Sequence, residues 1–339
     1  MNSGRKNILS ALIFLGVGVA MGVFVARFYW QSGSTVSFTA VREGGYSFIN
    51  PLLSCDISEN KQFKQYSPIE NKFQSYITQN IANKDATDIS VYFRGLNSGY
   101  WSGVNENDKY SPASLLKVPI MIAYLKEADA DPSILNQKIV YHETTDGNAE
   151  ETFKPRHFVV DGGTYTIAEL IQYMIAYSDN NAATYLGDHV DQNSLTEVYS
   201  DLGIPISSTL TDETMTPKIY SYVFRILYNA TYLSKAMSQY ALALLSTTDF
   251  SQGIKAGIPA SVPSAQKFGE RTVFNANPTM GTTTLAFREL HDCGVVYYPQ
   301  NPYLLCVMTK GNDFGKLSKI ISDISAMAYQ ETASGVLEI

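Results

Sequence analysis

The chain has 339 residues, of which 45% are hydrophobic and 17% are charged, a composition typical of globular proteins and too apolar for a disordered chain. The formal net charge is −7, and the sequence contains no stripe of Lys and Arg, which argues against nucleic acid as a partner. Phosphate-cradling glycine loops, zinc-binding H-E-x-x-H helices and paired C-x-x-C motifs are all missing from the sequence. We therefore expect no cofactor and no metal.

An uncharged apolar run spans Ile8–Ala26, with basic residues before it and the pair Tyr29-Trp30 after it. A membrane-crossing helix needs about 20 apolar residues, whereas a cleavable signal peptide has an apolar region of about 7–15 followed by a small-residue cleavage site. We therefore expect residues 1–7 in the cytoplasm, a transmembrane signal anchor at 8–30, and the rest of the chain outside. The alternative is cleavage of this segment, which would release a secreted protein.

Residues 31–66 are rich in Ser, Gly, Asn and Gln, which is typical of a stalk or of a segment that wraps around a domain. Apolar residues then recur at helical spacing over Pro68–Asn83, which predicts a first amphipathic helix. Strand-like composition at Ile89–Phe93 and at Tyr100–Val104, with turn residues at 96–99 between them, predicts a hairpin.

The middle of the chain changes to helical patterns. Helices are predicted at Leu115–Leu125, Ile167–Ala176, Ser194–Leu202, Pro217–Leu227 and Ala236–Leu245. Strand signals return near Ala265 and at Thr282–Leu285, and a closing helix is predicted over Gly315–Gln330. This order indicates an α+β fold in which a helical domain, residues 111–259, is inserted between the two parts of one sheet domain, residues 67–110 and 260–339.

The three cysteines are Cys55, Cys293 and Cys306, an odd number that implies no disulfide framework. Cys293 and Cys306 lie in two apolar strand-like runs, residues 293–298 and 303–308, which a proline-containing turn connects. Two interpretations remain open for this pair: a disulfide across the hairpin, or two buried free thiols.

The four histidines are His142, His157, His189 and His291, and they are scattered along the chain. The adjacent pairs His142-Glu143 and His291-Asp292 are too small for metal sites. We therefore expect these histidines to be ordinary loop or surface residues.

A first candidate motif spans residues 110–119 and contains Ser114 and Lys117 in an S-x-x-K spacing. Ser111 is a natural helix cap and Pro112 suits the first helical position, which would place Ser114 in the first turn of a helix. There the helix dipole favours an alkoxide, and Lys117 follows on the same face. A partly desolvated lysine can serve as the base that a serine nucleophile needs. The alternative is a capped surface helix without chemistry.

A second motif is Ser178-Asp179-Asn180, between two predicted helices. Asp179 suits the N-cap of a helix over residues 181–186, and capping alone explains that residue. The hydroxyl of Ser178 could relay a proton between Lys117 and a leaving nitrogen, and the amide of Asn180 could hold a substrate amide by donor and acceptor together.

A third motif is Lys267-Phe268-Gly269-Glu270, on a strand predicted near Ala265. Gly269 would let a substrate backbone approach closely, and Lys267 would supply positive charge for a substrate carboxylate. The alternative is an edge-strand lysine before a turn.

These three motifs, in this order, resemble those of the class A serine β-lactamases and related penicillin-binding proteins. The resemblance extends over residues 88–309 and includes the hairpin before Ser114 and the Thr214-Met215-Thr216-Pro217 stretch. It implies the fold of that family: an antiparallel sheet flanked by terminal helices, an all-helical domain beside it, and a site in the cleft between them.

The resemblance also implies roles. Ser114 would be acylated and Lys117 would take its proton, while Lys267 would bind the substrate carboxylate. The backbone N–H groups of Ser114 and Glu270 would form the oxyanion hole.

Two departures from the family pattern bear on turnover. Phe268 stands where the family usually has Thr or Ser, whose hydroxyl helps to bind the carboxylate. Class A enzymes activate water with a glutamate on a long Ω-shaped loop, but only residues 203–213 are available here, and they contain no Glu-x-x-Leu-Asn. Glu213 could substitute for that glutamate, although a capping role for the next helix is the simpler explanation.

We therefore expect a class A β-lactamase-like serine hydrolase that acts on β-lactam amides through an acyl-Ser114 intermediate. The alternatives are a D-alanyl-D-alanine peptidase or penicillin-binding protein of cell-wall metabolism, and a non-catalytic peptidoglycan-binding domain of the same fold. The expected partners are a small-molecule β-lactam or a peptidoglycan peptide, and the membrane through the N-terminal helix.

Overall fold

A computed structural model describes residues 15–16, 18–19, 21–22, 39–56, 67–142, 145–205, 214–277 and 282–335. One compact unit is formed by Ala40–Cys55 and Gln62–Ile339. The described residues near the N-terminus are helical, and no helix among the described residues is long and apolar enough to span a bilayer. The rest of the predicted anchor at 8–30 lies outside the described residues and stays a prediction.

The centre of the fold is a five-stranded antiparallel sheet in the order β4-β3-β9-β8-β7, which confirms the predicted α+β class. Its strands are β3 (Asp88–Gly95), β4 (Trp101–Val104), β7 (Ser264–Asn277), β8 (Thr282–Val296) and β9 (Tyr303–Gly311). β3 and β4 come from one end of the chain and β7 to β9 from the other, so the helical residues lie between two parts of one sheet.

Both faces of this sheet are covered by a hydrophobic core. Successive residues of a strand point to opposite faces, so neighbours on one strand pack in different cores. On β3, Val91 and Phe93 pack in a core with the terminal helices α1 (Ser67–Ala82) and α8 (Phe314–Ala333). Tyr92, between them, packs in a second core on the helical side.

The helical region carries the helices predicted from periodicity. They are α2 (Lys117–Ala130), α3 (Ile167–Ala176), α4 (Asn180–His189), α5 (Gln192–Asp201), α6 (Pro217–Asn229) and α7 (Lys235–Leu245). A small antiparallel pair, β5 (Lys138–Val140) and β6 (Thr164–Thr166), was not predicted. It brackets the long connection from α2 to α3, which runs past the candidate site.

The described part of the N-terminal segment, residues 39–56, wraps against the domain. It forms a two-stranded sheet, β1 (Thr39–Arg42) with β2 (Leu52–Asp56). The backbone N–H of Asn50 donates to the carbonyl of Tyr228 at 2.8 Å, and the Phe48 ring packs edge-on against Tyr297 at 5.3 Å. This part of the chain therefore packs on the domain, while the prediction of a stalk or wrapping segment over residues 31–66 stays a prediction.

Cys293 and Cys306 are joined by a disulfide. They are direct partners in the register of β8 and β9, and both side chains are buried. This finding decides between the two interpretations left open for the pair, in favour of the bridge across the hairpin.

Candidate active site

Ser114 lies in a 3₁₀ turn, Ala113–Leu116, and α2 begins only at Lys117. The prediction of a helix N-terminus capped by Ser111 is therefore wrong, since no side chain caps this turn. Ala113 has a φ of 48°, a left-handed conformation that non-glycine residues rarely adopt. The chain thus makes a sharp bend directly before the serine, as strained residues often do near functional sites.

Two buried side chains hold this turn. The Tyr220 hydroxyl donates to the carbonyl of Leu115 at 2.8 Å, and His291 Nε2 lies 3.0 Å from the carbonyl of Ser111. Because His291 Nδ1 accepts from the backbone N–H of Thr309, the ring proton belongs on Nε2, which donates to Ser111. Burial lowers the pKa of His291 to about 4, so the ring is neutral.

The expectation that His291 is a loop or surface residue is wrong, because its side chain is fully buried on β8. His142, in contrast, is exposed as expected.

Lys117 reaches from the start of α2 into the Ser-Asp-Asn turn. Its Nζ donates to the backbone carbonyl of Ser178 at 2.6 Å, to Ser178 Oγ at 3.1 Å and to Asn180 Oδ1 at 2.6 Å. Burial lowers the pKa of Lys117 to about 8, although nearby carboxylates partly offset this effect. An amine that loses its proton this close to neutrality is suited to act as a base.

The Ser-Asp-Asn turn joins α3 to α4, and Ser178 adopts a φ of 59° there. Asp179 caps α4 through the backbone N–H of Asn181, as predicted. Its carboxylate also accepts from Asn148 Nδ2 at 2.7 Å and from the backbone N–H of Val159 at 2.9 Å. This buried acid therefore ties the turn to the α2–α3 connection.

Asn180 uses its whole amide within the protein. Oδ1 accepts from Lys117, while Nδ2 donates to the carbonyl of Gly147 at 2.9 Å and to Glu151 Oε1 at 2.7 Å. The α2–α3 connection therefore contacts the group that we expected to hold a substrate amide. We call residues 146–153 of this connection the bridging loop.

Lys267 lies on the edge strand β7 and is fully buried. Its Nζ donates to Ser178 Oγ at 2.9 Å and to the carbonyl of Phe268 at 2.8 Å. Burial and the nearby charge of Lys117 hold the pKa of Lys267 well below its ordinary value. The structure thus brings both predicted lysines to the hydroxyl of Ser178.

Gly269 is the point where β7 contacts the 3₁₀ turn Ala113–Leu116, which we call the nucleophile turn. A Cβ atom at this position would lie 3.1 Å from the carbonyl oxygen of Pro112 and 3.3 Å from the backbone nitrogen of Leu115. Only a glycine allows this approach without displacing a neighbour. It brings the backbone of Glu270 to the Ser114 turn, where we predicted an oxyanion hole.

The Glu270 side chain contacts the bridging loop. Its two carboxyl oxygens accept from the backbone N–H groups of Phe153 at 2.7 Å and Thr152 at 3.2 Å. Burial and a hydrogen bond with Glu151 raise the pKa of Glu270 to about 7. Sequence reasoning missed Glu151, because the bridging loop carries no motif.

Glu213 lies outside the described residues, which resume at Thr214. Thr216, not an acid, caps α6 by accepting from the backbone N–H of Ile219 at 3.1 Å. A role for Glu213 in activating water stays a prediction.

Contacts among the described residues thus join a turn that carries Ser114 after a strained bend, a buried lysine, a Ser-Asp-Asn turn and a Lys-x-Gly strand in one α+β fold. This combination defines the class of penicillin-recognising serine hydrolases.

A family model described as the beta-lactamase enzyme family matches residues 72–332. Because this match extends over most of the chain, the chain belongs to the beta-lactamase enzyme family and is a serine hydrolase.

Solved structures share the fold. A mutant of PBP-A in an acyl-enzyme complex with penicillin G is 18% identical, with a TM-score of 0.65, and the match covers 81% of this chain and 100% of that one. For a β-lactamase from Sphaerobacter thermophilus the identity is 21%, the TM-score 0.63 and the coverage 78% and 98%. For a class A β-lactamase from Mycobacterium abscessus these values are 20%, 0.60, 78% and 99%. No curated protein shows significant sequence similarity to this chain.

Proposed function

We propose that this chain hydrolyses β-lactam amides through an acyl-Ser114 intermediate. One observation carries the proposal: Ser178 Oγ accepts hydrogen bonds from both Lys117 and Lys267, at 3.1 and 2.9 Å. A hydroxyl held between two lysines of lowered pKa is suited to pass a proton from a base to a leaving nitrogen.

In the proposed acylation, neutral Lys117 takes the proton of Ser114 while Oγ forms a bond to the substrate carbonyl carbon. The carbonyl electrons move to the oxygen, where the backbone N–H groups of Ser114 and Glu270 would stabilise the negative charge. When the carbonyl re-forms, the C–N bond breaks. The nitrogen then receives the proton from Lys117 through Ser178, and Lys117 is neutral again.

Hydrolysis then requires that water attack the acyl carbonyl, that one of its protons return to Ser114, and that the free acid leave. Glu213, which lies outside the described residues, is the candidate base for that attack. A D-alanyl-D-alanine peptidase would share the acylation step and differ in its leaving group. A domain without catalysis would keep the fold and form no acyl-enzyme.

Intact-protein mass spectrometry after addition of penicillin G, followed over time, tests the proposal. We expect an adduct that is absent in Ser114→Ala and that clears as penicilloate accumulates. A stable stoichiometric adduct, together with D-alanine release from a peptide mimic, would favour the peptidase. A folded protein that forms no adduct would favour the non-catalytic domain.

We further propose that the catalytic domain lies outside the cytoplasmic membrane, anchored by the apolar run Ile8–Ala26. The disulfide between Cys293 and Cys306 supports this location, because disulfides persist in oxidising compartments. Fractionation tests the anchor: the full chain should resist carbonate extraction from membranes, and a chain that begins at residue 39 should not.

A further inference from the structure

The ammonium group expected to bind a substrate carboxylate is buried and hydrogen-bonded within the protein. Lys267 has no exposed surface, and its Nζ donates to Ser178 Oγ and to the carbonyl of Phe268. The Phe268 ring covers a further side, with Nζ 4.3 Å from the ring centroid. A lysine has three donors, of which two are used and the remaining side faces an aromatic ring. Both of these hydrogen bonds of Lys267 go to protein atoms, and one of them goes to Ser178 Oγ, the proposed proton relay.

Phe268, at the position where the family usually has a hydroxyl side chain, belongs to an aromatic cluster. Phe268 stacks on Phe250 at 4.1 Å between centroids and meets Phe153 of the bridging loop at 6.0 Å. Phe153 also packs edge-on against Phe314, at 5.5 Å. This surface offers no hydrogen bond to an anion, and it fixes the bridging loop against β7.

Two acids stand beside this aromatic surface. Glu270 follows Gly269, whose backbone touches the nucleophile turn, and its carboxyl group accepts from the bridging loop. Glu151 accepts from Asn180 Nδ2 at 2.7 Å and pairs with Glu270. Two carboxyl groups thus lie between the Ser-Asp-Asn turn and β7, where the resemblance places the substrate carboxylate.

We propose that Glu270, together with Glu151, makes this enzyme select acyl donors that carry a neutral or cationic group beside the scissile amide, such as an amidated or esterified carboxyl, over donors that carry a carboxylate there. The inference rests on the proposed acylation of Ser114. A substrate carboxylate between the Ser-Asp-Asn turn and β7 would meet another acid and an aromatic ring, and like charges brought together across a contact are costly. A primary amide can instead donate a hydrogen bond to Glu270.

The test compares acylation of the full chain by penicillin G and by its methyl ester, with intact-protein mass spectrometry as the readout. Each rate constant is divided by the rate of hydroxide hydrolysis of the same compound, which removes the difference in intrinsic reactivity. We expect the normalised rate to be higher for the ester. Glu270→Gln keeps the backbone N–H and removes the ionisable carboxyl group, so it should raise the ratio of the penicillin G rate to the ester rate about tenfold.

Glu151→Gln should change the ratio in the same direction, and it provides a second variant if Glu270→Gln folds poorly. Glu150→Gln is the matched control, because it removes the same charge from the adjacent, exposed residue and should leave the ratio unchanged. A ratio that neither Glu270→Gln nor Glu151→Gln alters overturns this inference and leaves the acylation mechanism intact. An absence of adduct with both compounds overturns the proposed function, and this inference with it.

Discussion

Lys267 donates a hydrogen bond to Ser178 Oγ at 2.9 Å, and this pair joins the sheet to the helical region. Ser178 lies in the turn between α3 and α4, whereas Lys267 lies on the edge strand of the sheet. The proposed proton path therefore crosses between two parts of the fold that are about 90 residues apart in sequence. This proposed proton path depends on how the helical region packs on β7.

Removal of the Ser178 hydroxyl should slow acylation. We choose Ser178→Gly, because glycine tolerates the left-handed φ of 59° at this position, whereas alanine would be strained. With the relay lost, the rate of penicillin G acylation should fall by about 10²–10⁴. Ser75→Ala, at an exposed serine on α1, is the control for loss of a hydroxyl. Acylation within threefold of the wild type in Ser178→Gly would contradict the relay.

Acylation should depend on pH through Lys117. Its pKa is lowered to about 8 by burial, and only the neutral amine can accept the proton of Ser114. The rate should therefore rise as the pH increases towards about 8 and level off above it. Glu270, with a pKa near 7, titrates in the same range, so the profile is also measured in Glu270→Gln.

Lys117→Arg is the control for this profile, because a guanidinium stays protonated throughout the range and should abolish acylation. A rate that does not change between about pH 6 and pH 9 would show that Lys117 is not the base.

Gly269→Ala should lower the acylation rate more than it lowers the stability of the fold. Its Cβ would lie 3.1 Å from the Pro112 carbonyl oxygen, so β7 and the nucleophile turn must separate. We expect a loss of about tenfold or more in acylation rate, since small displacements in an active site are costly. Gly187→Ala is the matched control, because its Cβ meets only Ile120 Cδ1 at the ordinary distance of 3.7 Å. Equal acylation rates for the two variants would contradict the close approach.

Much of the fold was predictable because local signals agreed with one another. The prediction for α3, Ile167–Ala176, matches its observed bounds, because Thr166 and Glu169 form a capping box at the start of an apolar periodic run. The hairpin of β8 and β9 followed from two apolar runs around a turn. The three motifs also meet in the fold, because Ser178 Oγ accepts hydrogen bonds from Lys117 and Lys267.

The remaining features depend on contacts between distant residues. His291 and Asp292 are neighbours in sequence, yet both are fully buried, because β8 lies between two other strands and its two faces are covered by different cores. Glu151 lies in a loop without periodicity, and its position is set by Asn180 and Glu270. The left-handed Ala113 has no sequence signal, because such a conformation is imposed by its surroundings.

Asp179→Asn should lower stability as well as activity. The carboxylate of Asp179 is fully buried and accepts three hydrogen bonds, from Asn148 Nδ2 and from the backbone N–H groups of Val159 and Asn181. An asparagine amide would turn its own N–H donors towards one of these donors, leaving a buried polar group unsatisfied at a cost of about 1–3 kcal/mol. The bridging loop would also be held less firmly, because Asn148 Nδ2 donates to Asp179. The same Asn148 side chain accepts from the backbone N–H of Asn180 at 2.8 Å, so a change at Asn148 also reaches Asn180.

Thermal unfolding measures the first effect and penicillin G acylation the second. We expect the Tm to fall by several degrees, at about 2–4 °C for each kcal/mol, and the acylation rate to fall with it at a temperature where the variant is folded. Asp188→Asn removes a charge from an exposed position on α4 and should change neither quantity. An unchanged Tm in Asp179→Asn would mean that the three hydrogen bonds to this carboxylate do not hold the turn, and that Asn180 is positioned by Lys117 and the bridging loop alone.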